Sequence, residues 1–75
     1  MENHTQGSAL AKIKSQLLSL SKSEKTVALW FIENPEKIRS LSMAEIATIC
    51  NVSDTTVLRM CRTIGFKGFT DLKIS

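Results

Sequence analysis

Thr55, Arg59 and Arg62 stand at positions i, i+4 and i+7 of one short stretch, DTTVLRMCRT, with Thr56 and Thr63 beside them. On a helix that spacing lines up a hydroxyl and two guanidinium forks along one face. A guanidinium can bond two acceptors at once, and the free N–H groups of a helix start hold an anion well. A short helix with hydroxyls near its start and arginines along it suits the base edges and phosphates of a DNA major groove. The candidate contact residues are Ser53, Thr55, Thr56, Arg59, Arg62 and Lys67. Ser53 and the helix start would hold a phosphate, and Thr55 and Arg59 would meet base edges. Thr56, Arg62 and Lys67 would position the backbone.

Two helices joined by a tight turn must present that face, and SMAEIATICNVSDTTVLRMCRTIG from Ser42 to Gly65 encodes them. Ser42 and Glu45 form an S-x-x-E capping box at the first start. Ile46, Ala47, Ile49 and Cys50 give that helix its apolar side, with Ala47 small enough for a close crossing. Asn51 stands where the chain turns, because asparagine enters the left-handed region at low cost. Val52 is expected to plug the corner as a buried side chain. Ser53 then caps a second helix, with Asp54 in its first turn complementing the dipole. Val57, Met60 or Cys61, and Ile64 recur on its inner side, and Gly65 closes it. The outward helix therefore spans about Ser53–Ile64, the second half of a helix-turn-helix.

The rest of the 75-residue chain has room for one compact core, since a chain of this size buries only roughly 60% of its unfolded surface. Met1–Gly7 is polar and aperiodic and reads as a flexible tail ahead of a domain over residues 8–75. In SALAKIKSQLLSL, Leu10, Ile13, Leu17 and Leu20 recur at helical intervals, with Lys12 and Lys14 off that stripe. The stripe reads as core, with pairing to a twin helix as the other possibility. Ser21–Glu24 is a second capping box. The helix behind it is the most hydrophobic, through Val27, Ala28, Trp30, Phe31 and Ile32. Trp30 is its largest candidate for burial, or else sits half-exposed at an interface. Asn34-Pro35 stops it, and a short turn over 35–39 points Ile38 and Leu41 inward. After Gly65, Phe66 and Phe69 pin a glycine turn, and a last helix runs over 69–74. No alternating strand follows that could form a β-wing. The expected fold is all-α, a homeodomain-like bundle of about five helices.

Composition narrows the function. The formal net charge is +3, and residues 52–75 carry a surplus of two cations against one over the first 51 residues. The bias lies at the end a phosphate backbone would meet, though an ordinary solvated surface is compatible with it. Cys50 and Cys61 do not have metal-ligand spacing, and the single histidine, His4, lies in the polar tail. Both cysteines read as core packing. The three glycines are scattered, so no phosphate loop is present, and no nucleophile–base pair is visible. The sequence thus offers no catalytic residue, cofactor or metal site and does not read as an enzyme. The start MENHTQGS lacks the regions of a signal peptide, and no apolar run approaches a membrane span, so a cytoplasmic protein is expected.

The run LSMAEIATICNVSDTTVLRMCRTIGFKGFTDLK, preceded by LSKSEKTVALWFIENPEKI, resembles the N-terminal domain of RpiR/MurR-type bacterial transcriptional regulators. The resemblance spans roughly Leu20–Lys73. Its more specific elements are the S-x-x-E before the second helix, the N-P break, the V-S-x-x-T-V-x-R helix and the G-F-K-G-F that follows. It implies a DNA-binding domain that Ser53, Thr55, Thr56 and Arg59 bring to DNA. It also implies a following sugar-isomerase-type domain that senses a phosphorylated sugar, and homo-oligomers on palindromic operators near sugar-utilisation genes. Asn51 stands where the family commonly has glycine, and Thr63 where it commonly has a basic residue. The rival reading is a helix-turn-helix used for protein docking or dimerisation, since a shared fold does not fix function.

Overall fold

The structure is a computed structural model, and it describes residues 5–74. The described residues form five α-helices and two short 3-10 turns, with no strand among them. α1 spans Thr5–Ser15 and α2 Lys22–Glu33; α3 spans Met43–Cys50, α4 Asp54–Thr63 and α5 Phe69–Lys73. α1 packs on α2, α4 crosses both α2 and α3, and α5 returns against α4. The all-α bundle with an embedded helix-turn-helix is therefore as the sequence predicts.

Local chemistry sets most helix boundaries. Ser21 and Glu24 form a reciprocal capping box on α2: Glu24 N–H donates to Ser21 Oγ at 3.3 Å, and Ser21 N–H donates to Glu24 Oε1 at 3.1 Å. At the other end, Asn34 donates to the Trp30 carbonyl through both its N–H and its Nδ2, at 2.9 and 3.0 Å. Pro35 then prevents continuation. Turn residues 35–37 and the 3-10 turn Ile38–Ser40 carry the chain to α3, with Ile38 buried and Leu41 half-buried.

The first segment departs from expectation. α1 already includes Thr5, inside the stretch expected to be tail, and residues 1–4 lie outside the described part. Nor does one helix run on to Leu20. Ser15 Oγ donates to the Lys12 carbonyl at 3.0 Å, and the Gln16 N–H is shared between the carbonyls of Lys12 and Ile13. That side-chain competition and sharing tighten the last turn. The chain then makes a 3-10 turn, Leu17–Ser19. Ile13 and Leu20 still reach the core; Leu10 and Leu17 are half-buried, and Leu18 is 94% exposed.

Phe31 occupies the middle of the core with no exposed surface. Its ring lies 6.2 Å from Phe69 of α5 and 5.9 Å from Trp30, the latter edge-on at 66°. Such tilted pairs set positive edges against negative faces and add about 0.5–1.5 kcal/mol to the burial of the rings. Trp30 itself is only half-buried, so the largest side chain on α2 flanks the core and Phe31 fills it. Lys73 reaches back from α5 to the Leu41 carbonyl at 3.4 Å, with its ammonium 5.0 Å from the Phe69 ring centre. That contact ties the last helix to the loop entering α3.

Candidate nucleic-acid interface

Ser42 and Glu45 start α3 with a second reciprocal box, at 3.1 Å to Ser42 Oγ and 2.8 Å to Glu45 Oε1. Ile46 and Ala47 are buried against the bundle. Ile49, expected on that face, is 52% exposed, and Cys50 is half-buried. The short helix turns only a narrow stripe inward, and Ile49 falls beyond its edge.

Asn51 takes φ 58° and ψ 46°, the only non-glycine positive φ among the described residues. Its N–H donates to the Thr48 carbonyl at 3.1 Å, and the Val52 N–H to the Ala47 carbonyl at 2.9 Å. This bond pair is the Schellman closure, which satisfies two carbonyls a helix end leaves open. Val52 packs over Ala47's end of the helix but is half-buried, not the fully buried plug expected. α4 closes the same way. Gly65, at φ 106°, donates to the Arg62 carbonyl at 3.0 Å, and Phe66 donates to the Cys61 carbonyl at 2.9 Å.

Between those closures α4 is strongly two-faced. Val57, Met60, Cys61 and Ile64 have 1% exposure or less. Met60 and Cys61 are both buried, where the sequence left either open. On the far side Thr55, Arg59, Arg62 and Thr63 are exposed, so the predicted ridge exists as a surface. Ser53 is exposed at the N-cap and accepts from the Thr56 N–H at 3.2 Å, while its hydroxyl lies 3.0 Å from that of Thr56. Thr56 is half-buried and turned toward that cap, so it stands apart from the open ridge.

Arg62 and Lys67 meet at the helix end. Arg62 Nε donates to the Lys67 carbonyl at 3.2 Å, and the Lys67 N–H donates to Asp71 Oδ2 at 3.2 Å, leaving the Lys67 side chain exposed. A cation from another helix bears on Phe66, the residue before Lys67. Lys12, from α1, holds its ammonium 4.9 Å from the ring centre of Phe66. No sequence signal pairs residues so distant in the chain.

The two thiols take no part in this surface. Burial pushes Cys61 up to about 12, partly offset by a hydrogen bond that its sulfur accepts from its own backbone N–H, and burial also raises Cys50. Both are free. Among the described residues no group of histidine, cysteine and carboxylate side chains could hold a metal ion, and no helix is long and apolar enough to cross a membrane.

Comparison with known proteins places this geometry. A family model for the helix-turn-helix domain of the rpiR family matches residues 7–75. The HTH-type transcriptional regulator HexR of Escherichia coli is 45% identical over 65 residues, covering 87% of this chain and 22% of that protein. An uncharacterized HTH-type transcriptional regulator of Haemophilus influenzae is 44% identical over 68 residues, covering 91% of this chain and 24% of its own length. The chain thus spans about a quarter of the length of these relatives. Among solved structures, the N-terminal domain of a protein described as a transcriptional regulator, YbbH from Bacillus subtilis, superposes with a TM-score of 0.82. It is 38% identical, over 87% of this chain and 79% of that one.

Proposed function

The chain belongs to the rpiR family of helix-turn-helix domains, and from that premise we propose that it reads operator DNA for a transcriptional regulator of sugar or sugar-phosphate genes. The observation that carries the DNA reading is the division of α4: one side sealed in the core, the other an exposed ridge of Thr55, Arg59 and Arg62. In this reading α4 lies in the major groove. Thr55 and Arg59 touch base edges, with Arg59 bidentate to a guanine. The Ser53 hydroxyl, whose oxygen already accepts from Thr56, gives its proton to a phosphate at the helix start. Thr56 fixes that hydroxyl, and Arg62 and Lys67 hold the backbone. The sugar connection, a palindromic operator, a homo-oligomer, a phosphorylated-sugar effector bound by a further domain and a cytoplasmic setting all rest on the family resemblance.

The test compares Arg59→Ala with wild type on two duplexes, one enriched by selection from random sequence and one scrambled. Loss of a bidentate guanine contact weakens binding to the selected duplex by about 1–3 kcal/mol and leaves the scrambled one nearly unchanged. An unchanged affinity ratio would remove Arg59 from the reading role. A wild-type domain whose duplex affinity ignores salt would favour the ridge as a protein-docking surface.

A further inference from the structure

We propose that Lys12, on the first helix and outside the helix-turn-helix, is a phosphate contact that extends the DNA grip at the C-terminal end of α4. The inference rests on the DNA reading above and adds a residue from another part of the fold. Three observations carry it. First, the Lys12 ammonium is held 4.9 Å from the Phe66 ring centre, while Phe66 is buried and its N–H closes α4 through the Cys61 carbonyl. The ammonium therefore lies beside the residue that closes α4 despite its place in α1. Second, Phe66 adjoins Lys67, whose carbonyl accepts from Arg62 Nε. Lys12 thus bears on the residue that precedes Lys67, at the turn whose backbone Arg62 holds. Third, the Asp71 carboxylate next to Lys67 is oriented by the Lys67 backbone N–H at 3.2 Å, which leaves the exposed Lys67 side chain directed by no bond of its own backbone.

An aromatic face holds an ammonium from one side only, so its N–H donors remain available to an oxygen acceptor. A lysine is a point charge on a flexible stem, suited to a phosphate and not to reading a base. The grip would then be bipartite. Ser53 and the helix start hold one phosphate, and Lys12 with Lys67 and Arg62 hold the backbone at the opposite end of α4.

The experiment titrates wild type, Lys12→Met, Lys12→Arg and Lys14→Met against a mixed-sequence DNA duplex about three helical turns long, over a range of salt. Methionine keeps most of the stem and removes the charge, and arginine keeps the charge. Loss of one phosphate contact lowers the slope of log affinity against log salt by about 0.9 in Lys12→Met. Arginine restores the slope, and Lys14→Met keeps it. A Lys12→Met slope equal to wild type overturns the inference, and a lower melting temperature with that slope assigns Lys12 to packing over Phe66 alone. An equal drop in Lys14→Met also overturns it, because net charge would then explain the effect. If wild type shows no salt-dependent duplex affinity, the DNA reading fails and this inference falls with it. If wild type binds steeply and Lys12→Met matches it, only this inference fails.

Discussion

Asn51 holds the turn that sets α4 against α3, and replacing it isolates one energetic quantity. Its side chain is exposed, and the bonds that close the turn run from backbone to backbone, Asn51 to Thr48 and Val52 to Ala47. Substitution therefore leaves those bonds in place and changes only what the residue pays to sit at φ 58° and ψ 46°. In that region a Cβ crowds the next carbonyl, at roughly 1–2 kcal/mol, which asparagine relieves in part through local hydrogen bonding. Asn51→Ala loses that relief and should cost about 1 kcal/mol. Asn51→Val adds a branched Cβ and should lie near 2 kcal/mol, at the upper end of that range. Asn51→Gly removes the crowding but gives the unfolded chain about 0.4–1 kcal/mol more conformational freedom, so the two effects nearly cancel. For a domain of this size 1 kcal/mol moves Tm by about 4–8 °C. Thermal unfolding followed by helical circular dichroism should rank glycine with wild type, then alanine, then valine. Duplex affinity measured far below Tm should stay near wild type for glycine and alanine, since the turn keeps its shape. Alanine melting at or above wild type would refute the reasoning, as would glycine melting below alanine.

Two further outcomes bear on the capped helix start and the buried thiol. Ser53→Ala removes the acceptor for the Thr56 N–H and should cost about 1 kcal/mol of stability. Ser53→Asp keeps a cap and should melt near wild type, yet bind duplex DNA far more weakly; equal binding by the two variants would sink the phosphate role of Ser53. The folded Cys61 thiol titrates near 12 against an ordinary 9.0, so its contribution to stability is complete below pH 9 and is lost as pH rises toward 12. Denaturant unfolding between those limits should show wild type losing about 1.4 kcal/mol per pH unit more than Cys61→Ala. Parallel pH dependences would show that Cys61 ionises as easily folded as unfolded.

What the sequence made legible is what depends on neighbours within a helical turn. Both S-x-x-E boxes, the left-handed asparagine, the glycine closure and the bounds of α4 follow from hydrogen bonds to backbone groups no more than five residues away. The ridge of Thr55, Arg59 and Arg62 was legible for the same reason, because periodicity alone fixes what shares a face. What required the third dimension escaped. Trp30 and Phe31 stand one residue apart on a broad apolar stripe, and only the neighbouring helices decide which of them enters the core. Ile49 fails similarly at the edge of α3. The break after Ser15 carries no glycine or proline; it comes from a serine hydroxyl competing for a carbonyl and from Leu20 turning inward. Lys12 reaches Phe66 only because α1 folds back across the bundle.

The geometry of α4 also separates what holds the domain together from what could discriminate between DNA sequences. Val57, Met60, Cys61 and Ile64 anchor the helix from one side, whereas Thr55 and Arg59 project from the other. Substitution of the second pair therefore meets little resistance from the core, and surface changes of that kind usually alter stability by no more than about 0.5 kcal/mol. Arg62 differs, because its Nε holds the Lys67 carbonyl and so helps shape the turn after the helix. A change there would disturb backbone placement together with any contact to phosphate. In the proposed reading, specificity can diverge through Thr55 and Arg59 while the contacts assigned to Ser53, Arg62 and Lys67 stay fixed. A fold that serves many operators needs that division, since the residues that position the helix must not be the ones that choose the sequence.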